Sequence, residues 1–137
     1  MKRSEQAESQ HDSMAFTLAG YLGRTQGCAM IKADGICGYE RPDPIERNGQ
    51  SLVPDIVAWR SKPSIAKSVS PNYICEVETA CSISSEHTAG QLGVFAAEAK
   101  RVGAEFILLV PKAVVPVARD VLTKLGIHNA KIMSLSE

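Results

Sequence analysis

Residues 73–80 read YICEVETA and residues 52–59 read LVPDIVAW, two apolar runs with acids at positions where strands seldom have them. In the first, Tyr73, Cys75 and Val77 alternate against Ile74, Glu76 and Glu78, the two-residue period of a strand. In the second, Pro54 and Asp55 interrupt the run. Residues i and i+2 of a strand face the same way, so Glu76 and Glu78 project side by side. If the Asp55 strand is the neighbour, three carboxylates converge within cross-strand distance. Burying an unpaired carboxylate is costly, and a self-repelling cluster is best relieved by a divalent cation. All-oxygen ligation suits Mg²⁺ or Mn²⁺. For any single acid, a frayed strand end facing water is the plainer alternative.

Reading outward, Ser84 or Ser85 can cap a helix that runs to about Val102, with Gly103 where a C-terminal cap belongs. Its apolar stripe is Leu92, Phe95, Ala96, Ala99 and Val102. EFILLVP (105–111) is a continuous apolar run, the pattern of a strand buried on both faces. A further helix carries Pro116 in its first turn and ends at Gly126, and KIMSL (131–135) follows as an edge strand. Upstream, Ala7, His11, Met14, Ala15, Leu18 and Leu22 recur at helical spacing. CAMIKADGICGYE (28–40) alternates around Asp34-Gly35 and reads as a hairpin, and Asn48-Gly49 marks a second turn. The order α-β-β-β-α-β-α-β predicts one α/β domain over 1–137, a central mixed sheet flanked by helices.

Composition narrows the function classes. The chain has 137 residues, 45% hydrophobic and 22% charged, an ordinary globular mix with a real core. Fifteen basic and fifteen acidic residues give a net charge of zero, so charge alone does not point to nucleic acid. The polar N-terminus lacks the apolar stretch of a signal peptide, and no apolar run approaches the ~20 residues of a membrane span. These features predict a cytoplasmic protein with no membrane partner. Cys28, Cys37, Cys75 and Cys81 then read as reduced, buried thiols, since their C-x8-C and C-x5-C spacings do not match zinc knuckles.

Pro54-Asp55, a gap of about 20 residues and Glu76-Val77-Glu78 on the next strand resemble the motif of the PD-(D/E)xK nuclease superfamily. The element order is similar to that superfamily's core, and Gln91 falls where RecB-like and archaeal junction-resolvase-like members carry a glutamine. EVETACSISSEHTAGQ (76–91) is also similar to short bacterial and archaeal proteins of this fold. The resemblance implies a restriction-endonuclease-like fold and Mg²⁺- or Mn²⁺-dependent hydrolysis of DNA or RNA. It further implies that Asp55, Glu76 and the Val77 carbonyl hold the metal, while Gln91 orients water or phosphate. Phosphodiester hydrolysis needs a Lewis acid on the phosphoryl group and an activated water, which these residue types can support. His87, one turn before Gln91, is a second candidate for phosphate or metal.

Glu78 is the departure, because most members have Lys there. Some restriction enzymes of the superfamily carry Glu and remain active, so Glu78 is a candidate ligand or base. Lys32 and Lys112 are candidates to replace the missing cation. Arg24, Lys32, Arg41, Arg47, Arg60, Lys62 and Lys67 lie between the first helix and the motif strand, and Arg47, Arg60 and Lys62 are the candidate nucleic-acid contacts. A solvated mixed-charge loop is the plainer reading of that stretch. Trp59 reads as core or interface, and a homodimer would double any weak binding patch. Two alternatives to a nuclease stand: a non-catalytic nucleic-acid- or protein-binding module that retains the fold, and a domain whose acids are structural.

Overall fold

The computed structural model describes residues 5–64 and 69–135; Lys67 lies outside them. Helix α1 (Glu5–Arg24) leads into strand β1 (Met30–Ala33), the hairpin β2 (Ile45–Arg47) and β3 (Gln50–Leu52), then β4 (Ile56–Trp59) and β5 (Tyr73–Val77). Helix α2 (Glu86–Val102), β6 (Glu105–Pro111), a 3-10 turn at Lys112–Val114, α3 (Val115–Lys124) and β7 (Ala130–Leu135) complete it. The main sheet has the order β1-β4-β5-β6-β7, antiparallel from β1 to β5 and parallel from β5 to β7. It is a mixed five-stranded sheet flanked by helices, an α/β architecture.

Alternation along the central strands divides the core. Tyr73, Cys75 and Val77 of β5, with Ile107 and Leu109 of β6, pack against Met14, Leu18 and Leu22 of α1. Ile74, Phe106, Leu108 and Val110 face the opposite way, onto Leu92, Phe95 and Ala99 of α2 and Ala118 and Leu122 of α3. Each large apolar side chain buried here contributes about 1.5–3 kcal/mol. With both faces covered, all five residues of β5 are buried, Glu76 included.

The caps stand where local chemistry requires them. Ser85 accepts the Thr88 N–H at the start of α2, and Gly103 ends it at φ 75°, a conformation that favours glycine. Two expectations change. The chain does turn at Gly35, but no strand returns from it: residues 36–40 form a loop tied to β1 by Ala33 N–H to Glu40 O, and β1 pairs instead with β4. Gly38 at φ 91° breaks the would-be second arm, whereas β4 offers β1 a buried apolar edge. The true hairpin is β2–β3, closed by Asn48 and Gly49 at φ 52° and 76°, the left-handed pair a two-residue turn demands. Its Ile45 and Leu52 pack on the α2 side of the sheet, so the order along the chain carries two more strands than expected. The cysteines change too: Cys75 is buried, Cys28 is half-buried, and Cys37 and Cys81 are exposed in loops.

Candidate functional site

Antiparallel pairing of Ile56 with Cys75 sets Asp55, just before β4, beside the end of β5. Each acid there completes the backbone of the other's strand. The Asp55 N–H donates to Glu76 Oε1 at 2.9 Å, and the Val77 N–H donates to Asp55 Oδ2 at 2.8 Å. These bonds take the place of ladder bonds where Pro54, lacking an N–H, stops the strand. The Asp55 side chain also acts directly on the Glu76 carboxyl. Burial first, then the charges of Asp55 and Glu78, push the Glu76 carboxyl well above the usual carboxylate range; the Asp55 N–H only partly offsets them. Burial, and then the charges of Glu76 and Asp55, raise the Cys75 thiol.

Glu78 is 1% exposed and is not a frayed end. Its N–H continues the ladder to Leu109 O at 3.0 Å, and its Oε1 accepts the Thr88 hydroxyl at 3.1 Å. Ser85 Oγ donates in turn to Thr88 Oγ1 at 2.9 Å. The first turn of α2 thus holds the Glu78 carboxylate.

His11 is a site residue that helical periodicity hid. It belongs to the buried stripe of α1, yet its Nε2 lies 3.1 Å from Asp55 Oδ2 and its Nδ1 lies 3.1 Å from Asp12 Oδ1. The available signal was a titratable residue inside an otherwise apolar stripe. Ser85 was likewise legible only as a helix cap, and nothing in the sequence singled out Thr88.

The other expected residues are spread more widely. Gln91 is half-buried one turn beyond Thr88, and His87 is exposed in the first turn of α2. Arg60 bonds the Tyr73 hydroxyl and sits over its ring, at the start of β5; Glu76 is three residues along that strand, ~10 Å away. Arg47 lies near Glu98, ten residues beyond Thr88 on α2, and Lys62 is exposed in the segment after β4. The expected rim of Arg47, Arg60 and Lys62 therefore does not gather at the carboxylates. β4 carries Arg60 to the far end of the sheet, and the hairpin carries Arg47 down α2. Lys32 is held over the Trp59 ring, and Trp59 itself is half-buried with its Nε1–H donating to Val69 O. Two exposed cations belong to the acidic end. Arg41 pairs with Asp34, whose N–H donates to Asp55 O, and Lys112 follows the end of β6.

Among the described residues, no three His, Cys, Asp or Glu side chains gather to hold a metal ion. Glu78, turned to Thr88, does not join Asp55 and Glu76 in a three-acid ligand set, although its charge is felt by Glu76. What fits a hard divalent cation is a smaller donor set: two adjacent carboxylates that repel each other, with the Val77 carbonyl beside them. A cavity of about 80 Å³ lies at the opposite end of the sheet, among Tyr21, Gln26, Arg60 and Tyr73. No helix among the described residues is long and apolar enough to cross a membrane. No protein-family model, curated protein or solved structure matches the chain.

Proposed function

We propose that the chain is a divalent-cation-dependent nuclease of restriction-endonuclease-like fold that hydrolyses phosphodiester bonds of DNA or RNA. The observation that carries this reading is the reciprocal Asp55–Glu76 arrangement, two carboxylates locked across adjacent strands. The arrangement of elements supports it: a strand opening on Pro-Asp lies antiparallel to one ending in Glu-Val-Glu, and a helix crosses from there to a parallel strand. The site lies at the carboxyl ends of the parallel strands, the usual position for ligands in such sheets.

Asp55, Glu76 and the Val77 carbonyl would hold Mg²⁺ or Mn²⁺, which would supply Lewis acidity toward the phosphoryl group. Glu78, kept in place by Thr88, accepts a proton from the attacking water. Gln91 orients the water or a phosphate oxygen from α2. His87, Arg41 and Lys112 contact the flanking phosphates.

The test is cleavage of single- and double-stranded DNA and RNA with Mg²⁺, with Mn²⁺ or with chelator. Metal-dependent cutting that Asp55→Asn or Glu76→Gln lowers by ~100-fold or more would establish the enzyme. Mn²⁺ binding without cleavage of any substrate would make the chain a non-catalytic module. Absence of both would leave the acids structural and end the reading.

A further inference from the structure

We infer that His11 is a positioning residue, holding Asp55 from α1 in the orientation from which that carboxylate binds a divalent cation. The inference rests on the metal-site reading above and adds a residue that the superfamily motif does not contain. His11 is 4% exposed on a helix face otherwise made of Ala7, Met14, Ala15, Leu18, Ala19 and Leu22. An apolar side chain would serve packing at this position, because an imidazole in an apolar layer is costly unless its nitrogens meet polar partners. Both do. Asp12 Oδ1 stands 3.1 Å from Nδ1, which fixes the ring so that Nε2 faces Asp55 Oδ2 at 3.1 Å.

That same oxygen accepts the Val77 N–H at 2.8 Å. Asp55 Oδ2 therefore lies between two elements, the strand donating to it through the Val77 N–H and the helix setting His11 Nε2 against it as an ion-pair contact. The contact also brings the side chain of a basic residue to a cluster in which the motif's usual lysine is replaced by Glu78. A carboxylate held at one oxygen by groups of independent elements loses little freedom on taking up a cation, which is the role of partners behind metal ligands.

The test is Mn²⁺ titration of the intact protein by calorimetry, comparing the wild type with His11→Leu and His11→Gln. Leucine suits the buried stripe, so His11→Leu should melt close to the wild type and isolate the loss of the polar contact. We expect His11→Leu to weaken Mn²⁺ binding by about 10-fold or more, and His11→Gln, whose amide keeps a polar group against Asp55, to stay within about 3-fold of the wild type. Wild-type affinity in His11→Leu, or equal loss in both variants, overturns the inference while leaving the metal site standing. A wild type that binds no Mn²⁺ removes the metal-site reading and this role with it. Should the variants fail to fold, the wild type still decides: ¹H–¹⁵N imidazole spectra must show the His11 ring shifting on saturation with Mg²⁺. A ring signal unmoved by Mg²⁺ overturns the inference.

Discussion

Glu76 occupies a buried position near the end of the central strand that packing alone would assign to an apolar residue. Neighbouring Ile74 and Leu108 are 1% and 0% exposed, and the acid itself is 3% exposed. Its carboxyl is raised by burial and then by the charges of Asp55 and Glu78, so folding favours the protonated form. The stability associated with that proton is fully present below the ordinary carboxylate range and is lost as pH rises through the raised folded-state value. Glu76→Gln removes the titration while its amide oxygen can still accept the Asp55 N–H. The variant should therefore melt above the wild type at pH 8, by a margin that shrinks toward pH 4. Thermal melts at both values without metal check it; a margin independent of pH would mean that burial of the Glu76 charge is not what limits stability. An acid kept in so unfavourable a place fits a residue retained for binding rather than for the fold.

At the scale of the element, the first turn of α2 links the helix to the site. Ser85 caps the helix, Thr88 bonds Ser85, and the Thr88 hydroxyl reaches Glu78. Thr88→Val keeps the side-chain shape but withdraws a donor from a buried carboxylate, which should cost about 1–3 kcal/mol in urea unfolding. Ser85→Ala loses the cap and should cost about 1 kcal/mol. Because the two hydroxyls belong to one chain of bonds, the double variant should lose less than the sum, and strict additivity would show that they act separately. Ser85 and Gly103 were legible in the sequence because a cap is written within one turn of chain. The Asn48-Gly49 turn was legible for the same reason, but not the two strands it joins. The partner of β1 was not: Asp34-Gly35 is a good local turn, but the choice between a loop and β4 depends on burial against residues more than twenty positions away. His11 was hidden similarly, since helical spacing identifies the buried face and not the carboxylate that meets it.

Across the whole molecule, the two ends of the sheet have different chemistry. The acids and the start of α2 occupy one end, while Arg60, Tyr73 and the small cavity occupy the other. Zero net charge is thus an average over a chain whose cations are dispersed. Among the described residues, the exposed ones placed near the acids are Arg41 and Lys112, with His87 beside them. Under the nuclease reading, few phosphates are neutralised, so binding to duplex DNA should be weak and only modestly sensitive to salt. Each phosphate contact adds about −0.9 to the slope of log K against log salt, so two lasting contacts give about −2. Fluorescence anisotropy with a labelled duplex and Asp55→Asn, which prevents cutting, measures that slope directly. Arg41→Ala and Lys112→Ala should each lower its magnitude by about 1, whereas Arg47→Ala, near Glu98 on the side of α2, should leave it unchanged. A slope steeper than about −5 would require cations that this end of the sheet does not supply, and would move the nucleic-acid surface away from the carboxylates.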